Sequence, residues 1–306
     1  MATLDLVTHA NGLTTLRSPL LAAAGVRHGF STRVGGLSRG AYASLNLGSL
    51  RKNARPGEGD HNTSVSENFR RLRAALGLER RPRFAAVQCH GASVWEVDRE
   101  KPPREADVPA ADGLVTAVAG PMLTVRTADC VPVLLATADG RAVGAVHAGW
   151  RGVLAGVVEA SVGAVRRVAG EVVGATGEVV GVGESTQPGA ALPVGLVAAV
   201  GPCIGVEKFE VGEEVAEAFD AAGLGACVRR GEPGWGERPH VDLAEAVVRR
   251  LIAAGVAAGS IDRPATGGPG ACTYAEADLF FSYRRDVTHG GAARTGHMAA
   301  VISIDP

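Results

Sequence analysis

The chain is short of aromatic residues, which fill only 4% of its 306 positions, and almost without net charge, −1 at neutral pH. With so little excess charge there is no global basic field to draw in nucleic acid or an anionic membrane surface. No stretch approaches the roughly 18 consecutive apolar residues of a membrane span. The N-terminus, MATLDLVTHANGL, lacks the basic start, apolar core and small-residue cleavage site of a secretory signal, and the nearest apolar run, PLLAAAGV, is too short and too late to supply one. The expected location is the cytoplasm, with neither membrane nor nucleic acid as partner. Five cysteines (89, 130, 203, 227 and 272), an odd number with no CxxC spacing, argue against a disulfide framework. They leave metal binding, catalysis or plain burial. No GxGxxG stands at a strand-to-helix junction, so there is no case for a dinucleotide site. Eight histidines without one HxH pair are too thin a supply for the several coppers of a multicopper oxidase. Copper is expected only adventitiously, because Cu²⁺ outcompetes zinc at most sites.

What is present is a globular chain, 46% apolar. Three segments read as exposed connections: RKNARPGEGDH (51–61), REKPPREADVPA (99–110) and the Gly-rich 174–195, the last a surface insertion or loop in which GEVVG (170–174) partly repeats as GEVVGVG (177–183). None is a convincing domain linker, since strand-like runs resume at once, so 1–306 is expected to be one domain. In NTSVSENFRRLRAALGL, Val65, Phe69, Leu72 and Leu76 fall on one helical face. DLAEAVVRRLIAAG starts with Asp242 as N-cap and Glu245 three residues on, a capping-box pattern, and stops at Gly255. RGVLAGVVEASVGAVRRV predicts one helix after Trp150, and GEEVAEAFDAAG a shorter one. AAVQCHGASVWEVD, MLTVRT, VPVLLAT, RAVGAVHA, LVAAVGPCIG and HMAAVISID read as strands, with ADG (138–140) as a hairpin turn. Strands joined by tight turns imply antiparallel or mixed sheets with helices outside: α+β rather than a doubly wound parallel fold.

Three strand ends carry a soft or borderline metal ligand: QCHG with His90, TADC with Cys130, and VHAGWRG with His147. Two imidazoles and a thiolate leave one position of a zinc ion open, as a catalytic zinc needs. Cys130 and His147 flank the proposed hairpin and come to its open end; nothing local places His90 beside them. Spacing alone leaves three readings standing. Cys130 is a metal ligand with His147, or a nucleophile with His147 as its base, or a buried thiol packed as a small hydrophobe. Cys89 competes with His90, but neighbours on a strand point to opposite faces, so Cys89 is expected in the core.

The chain resembles the YfiH (laccase-domain) family, whose members have been called polyphenol oxidases or laccases, peptidoglycan editing factor and, in animals, FAMIN. The resemblance is carried by HGFSTRVGGLSRGAYASLNLG (28–48), QCHGASVWEVD (88–98), ADGLVT (111–116), LTVRTADCVPVLL (123–135), AVHAGWRGVLAGVV (145–158), GPCIGVEKFEVGEEV (201–215), VDLAEAVVRRL (241–251), CTYAEADLFFSYRRD (272–286) and TGHMAAVI (295–302). It implies a zinc site made of His90, Cys130 and His147. It also implies phosphorolysis of adenosine, inosine and methylthioadenosine with deamination of adenosine, on an α+β unit of sheets sandwiched between helices, similar to the catalytic domain of certain deamidating bacterial toxins. Two departures stand out. His297 replaces the arginine of the usual TGR, which puts the hold on a substrate anion in question. Cys89 stands where an aliphatic residue is usual.

Such chemistry asks for further groups. A carboxylate should pass a proton to leaving ammonia, and Asp129 is the adjacent candidate, although adjacency to Cys130 turns it away. A phosphate dianion asks for arginine forks; Arg33, Arg151, Arg284 and Arg285 lie in matched motifs, and Asn46 is a candidate for a hydrogen bond to substrate. Partners are then purine nucleosides and phosphate, with the chain a monomer or homodimer. The rival is a metal-independent cysteine hydrolase using Cys130 and His147, with cell-wall precursors as a further substrate class.

Overall fold

In VPVLLAT every residue is buried, yet the side chains divide between two apolar layers, and that division sets the architecture. The computed structural model describes residues 3–48, 60–173, 179–182, 195–265, 267–268 and 270–305. Along the chain run β1 (Asp5–Thr8), β2 (Thr14–Arg17), α1 (Pro19–Ala23), β3 (Arg27–Ser31), α2 (Asn62–Leu76), β4 (Arg83–Phe84), β5 (Val94–Glu96) and β6 (Gly113–Thr116). Then follow β7 (Met122–Thr127), β8 (Val131–Thr137), β9 (Val143–Ala148), α3 (Trp150–Ala155), α4 (Val157–Val168), β10 (Glu171–Val173), β11 (Val179–Val182) and β12 (Leu196–Val200). The last are α5 (Glu213–Ala221), β13 (Val228–Arg229), β14 (His240–Val241), α6 (Leu243–Ala253), β15 (Ile261–Asp262) and β16 (Met298–Ser303).

One six-stranded sheet has the order β1-β2-β3-β16-β7-β4 and the other β15-β12-β8-β9-β6-β5. Both are mixed: β4 with β7, β5 with β6 and β12 with β15 are parallel pairs in otherwise antiparallel sheets. Period-two alternation explains the stacking. Leu134 and Ala136 of β8, Val143 and Ala145 of β9, Leu123 and Val125 of β7, and Met298 and Ala300 of β16 fill the seam between the sheets. Val131, Val133 and Leu135 turn the other way, onto α4 and α6. Val65, Phe69, Leu72 and Leu76 of α2 cover the outer face of the first sheet. The result is the α+β sandwich expected, with helices outside two face-to-face sheets.

Local signals act as read, with instructive exceptions. Asp242 caps α6 by accepting the Glu245 N–H at 2.9 Å, but the reciprocal half of the box is absent: Glu245 pairs with Arg249 and Arg263 instead. The ADG turn needs its glycine, because Gly140 has φ +72° and a Cβ there would lie 2.3 Å from Ala24 O. The single helix expected after Trp150 is two, broken where Gly156 takes φ +89° and ends α3. The self-similar GEVVG segments are not simply loop: β10 and β11 pair antiparallel, while 174–178 and 183–194 lie outside the described residues, as does most of 51–61. AAVQCHGASVWEVD is not one strand either; only β5 forms within it.

Buried His28 shows how a polar group is admitted to this interior. Its Nε2 accepts the Ser18 N–H at 2.9 Å, so Nδ1 carries the proton and donates to Val26 O at 3.1 Å. Burial, reinforced by Arg17, lowers its pKa to about 4 against two backbone hydrogen bonds that raise it. Below the unfolded value of about 6.5 the unfolded chain binds this proton and the folded one does not. Stability from this group is therefore full above pH 6.5 and is lost on acidification towards pH 4, by up to roughly 3 kcal/mol. Urea midpoints measured across that range are expected to fall with pH in the wild type and more shallowly in His28→Gln.

Candidate metal centre

The antiparallel register pairs Val131 with Ala148 and Pro132 with His147, so Cys130 and His147 meet at the open end of the β8–β9 hairpin. Val146 and Ala148 face the helices; His147 between them turns into the seam. On its other side β9 pairs with β6 through Gly113 and Val146, which sets Asp112 directly across from His147. Asp112 Oδ1 accepts the His147 Nδ1–H at 2.8 Å. A carboxylate offers no proton, so Nδ1 carries the hydrogen and Nε2 is turned outwards.

The same carboxylate builds the third arm. Asp112 accepts the backbone N–H groups of Cys89 (3.2 Å), His90 (3.0 Å) and Gly91 (2.7 Å), and the Cys89 thiol at 3.1 Å. Three successive amides on one anion require a left-handed turn, and His90 supplies it with φ +61°. Gln88 anchors the loop from behind: its amide oxygen accepts the Arg126 N–H and its NH₂ donates to Arg126 O, at 2.9 and 2.8 Å. Cys89 is accordingly not core. It is exposed, because the segment has left the sheet and strand alternation no longer applies.

His90 Nε2 lies 3.9 Å from Cys130 Sγ, and one donor atom from each of His90, Cys130 and His147 lies within 4.8 Å of the others. The two imidazole rings meet edge to face, 4.8 Å between centroids. Bonds of ~2.0–2.3 Å to a tetrahedral zinc separate donors by roughly 3.3–3.8 Å, so closure on an ion asks for a contraction of about 1.5 Å at most. The space is kept by Gly149, where a Cβ would stand 2.8 Å from His90 Cδ2 and 3.1 Å from Cys130 Sγ. Donor chemistry, separation and cleared volume fit a three-ligand zinc site with one position open.

Electrostatics favour the charged forms of Asp112, Cys130 and His147. Burial would raise the Asp112 carboxyl, but hydrogen bonds from His147, Cys89 and the Gly91 amide outweigh it and hold the group well below the usual carboxylate range. Burial pushes the half-buried Cys130 thiol up, and contacts with His147 and His90 bring it down to about 7. Burial lowers His147, while Asp112 and Cys130 raise it to about 9. Without a metal both shifts run in the direction of a thiolate beside an imidazolium.

The other residues singled out from the sequence are placed as follows. Asp129, at φ +93°, turns away from Cys130, as its adjacency implied. Its carboxylate accepts Thr273 Oγ1–H at 2.6 Å and the Arg284 N–H at 2.7 Å, tying the 272–286 segment to the Cys130 loop. Arg285 donates from Nη1 to the carbonyls of Thr273 and Tyr274, from Nη2 to that of Phe280, and from Nε to Asp286. Arg284 reaches Glu210 O, and Arg33 reaches Ala43 O and Ala277 O while stacking on Phe281 at 4.4 Å. Asn46 accepts the Gly48 and His297 amides and donates to Asp60. Arg151, unlike the others, is exposed and lies over Trp150 at 4.2 Å. The sequence reading passed over Asp112, Gln88 and Gly149 as working residues. The available signal was the aspartate of ADGLVT, one of the matched motifs, which the fold sets at the head of β6 beside β9.

The family described as multi-copper polyphenol oxidoreductase laccase matches residues 27–186 and 173–305. The chain belongs to this YfiH (laccase-domain) family. A relative from Deinococcus radiodurans, named purine nucleoside phosphorylase, is 39% identical over 298 residues, covering 96% of this chain and 94% of its own. The Escherichia coli K12 relative, named purine nucleoside phosphorylase YfiH, is 35% identical over 275 residues, 89% of this chain and 91% of its own. The solved structure of YlmD from Geobacillus stearothermophilus superposes with a TM-score of 0.73 at 29% identity, covering 95% of this chain and 96% of that one. Bacillus licheniformis YfiH shares the fold, with a TM-score of 0.75 over 98% of this chain and 99% of its own. Despite the family's descriptive title, the described residues contain a single three-donor cluster of this kind, His90, Cys130 and His147.

Two substitutions probe the geometry. Asp112→Asn removes the acceptor that orients both imidazole arms and is expected to lower zinc affinity about 10–100-fold in competition with a chromophoric chelator. Gly149→Ala is expected to abolish stoichiometric zinc binding while leaving the far-ultraviolet circular dichroism of the fold intact.

Proposed function

We propose that the chain is a zinc-dependent enzyme of purine nucleosides, carrying out phosphorolysis of adenosine, inosine and methylthioadenosine and deamination of adenosine. The observation that carries this reading is the convergence of His90, Cys130 and His147 within 4.8 Å under one orienting carboxylate. The names of relatives that match nearly end to end support the substrate class.

Held by His90, Cys130 and His147, zinc would supply Lewis acidity at neutral pH. The chain's own residues do the rest. Asp112 fixes the His147 tautomer and the His90 loop, so that no reorganisation is needed when substrate arrives. Asp129 holds the 272–286 segment beside Cys130 and so acts by position. Arg151, exposed and stacked over Trp150, is retained as a catalytic candidate. Arg33, Arg284, Arg285 and Asn46 shape the surrounding loops, and we retain them as the residues that set where a nucleoside sits. In phosphorolysis a phosphate oxygen bonds to C1′ as the C1′–N9 bond breaks. The electron pair and a proton go to the purine, giving ribose 1-phosphate and free base. In deamination water adds at C6 and ammonia leaves.

The thiolate–imidazolium pair favours a second reading, a metal-independent hydrolase with Cys130 as nucleophile and His147 as base, for which wall precursors are the further substrate class. Metal content and adenosine turnover, with and without phosphate, separate the two. The first reading expects one zinc per chain, adenine released only with phosphate, inosine formed without it, and loss of metal and both products in Cys130→Ala. Activity that survives chelation but is lost on alkylation would establish the second.

A further inference from the structure

If phosphate is a co-substrate, something must hold a dianion, yet Arg33, Arg284 and Arg285 spend donors on carbonyl oxygens, and His297 stands where the resemblance expects an arginine. Another guanidinium lies close by. Arg126 is on β7, with its neighbours Leu123 and Val125 in the seam between the sheets. Its cross-strand partner Ala299 belongs to the α2-side layer, as does Met122 on its own strand, so Arg126 projects to that side. His297, two residues before Ala299, projects to the same side and sits diagonally opposite Arg126.

Three observations mark Arg126 as a cation waiting for an anion. Among the described residues its guanidinium has no hydrogen-bond acceptor and no acidic partner, although its main chain is clamped by Gln88. It is half-buried, so its charge is partly desolvated and still reachable from outside. The neighbouring charge is of its own sign: Arg83, on the adjacent strand β4 and stacked at 4.2 Å on Phe69, feels Arg126 as a repulsive neighbour. An unpaired, partly buried cation is costly unless a ligand completes it. Its main chain is tied to the segments that carry the metal donors. Gln88, the residue that grips Arg126, lies two positions before His90, and Cys130 follows Arg126 by four. Burial depresses the basicity of His297, and Arg126 and His147 both lie near enough to add to that effect.

We infer that Arg126, with His297 beside it, forms the subsite for inorganic phosphate next to the His90–Cys130–His147 centre. The fork of Arg126 takes two phosphate oxygens, as guanidinium does, and His297 forms the wall where an arginine is otherwise expected. This rests on the nucleoside reading for its purpose, and the experiment separates the two.

The zinc-loaded full chain is titrated calorimetrically with inorganic phosphate as wild type, Arg126→Met and Arg126→Lys, and phosphorolysis is followed with phosphate and adenosine varied separately. Arg126→Met is expected to weaken phosphate binding and raise the KM for phosphate about tenfold or more, with the KM for adenosine and the zinc content unchanged; Arg126→Lys falls between. Folding of the variants is read in the same buffers. Without phosphate Arg126→Met melts at or above the wild type, since an unpaired cation is gone, and phosphate raises the melting temperature of the wild type alone. Phosphate binding by Arg126→Met within about twofold of wild type, or no phosphate binding by wild type, overturns the inference. So does a response to adenosine 5′-monophosphate without one to free phosphate. A wild type that binds phosphate through Arg126 but leaves adenosine intact keeps the subsite and removes the phosphorolysis. Turnover with an unchanged phosphate KM in Arg126→Met does the reverse.

Discussion

One carboxylate holds the centre together. Asp112 accepts from His147 Nδ1, from three consecutive backbone amides at Cys89, His90 and Gly91, and from the Cys89 thiol. Each bond is modest by itself, but they share one acceptor in a weakly solvated site and strengthen each other. The consequence is geometric. A rigid strand pair fixes Asp112 relative to His147, and the amide cradle then transfers that rigidity to a loop that leaves the sheet. The His90 arm is as well positioned as the arm on β9, although it has no strand of its own.

Two non-glycine residues with positive φ flank the donors, His90 at +61° and Asp129 at +93°. Such conformations persist only where surrounding contacts over-determine them. At His90 the contacts are the amide bonds to Asp112. At Asp129 they are the bonds to Thr273 and to the Arg284 amide, together with Ile204 N–H donating to the Asp129 carbonyl. The backbone is thus bent twice on either side of the cluster, and both bends are secured by carboxylates that do not face the metal. Asp129, attractive as a proton donor on adjacency alone, is instead the clasp that keeps the C-terminal segment against the Cys130 loop.

Charge is distributed with the same economy. Around the donors, negative charge on Asp112 raises the basicity of His147, and His147 and His90 lower the Cys130 thiol against its burial. On the α2 side of the first sheet the balance is reversed, with Arg126, Arg83 and no acidic partner among the described residues.

The sequence by itself determined many of the strands and helices and one side of the candidate centre. Alternation in VPVLLAT and RAVGAVHA, the turn glycine at 140, the cap at Asp242 and the apolar stripe of α2 are local signals, and each appears in the fold where local physics puts it. The proximity of Cys130 to His147 was legible too, because a short hairpin leaves little freedom in where its ends meet. His90 was beyond reach of spacing, and only the family motif named it, since its place depends on β6 lying beside β9 so that Asp112 faces His147. For the same reason Cys89 was misread as core: a strand rule was applied to a segment that a distant carboxylate pulls out of its strand. Long-range pairing costs chain entropy and is repaid only by contacts that exist once the fold is complete, so tertiary structure alone decided which carboxylate orients the donors and which arginines are tied to the backbone.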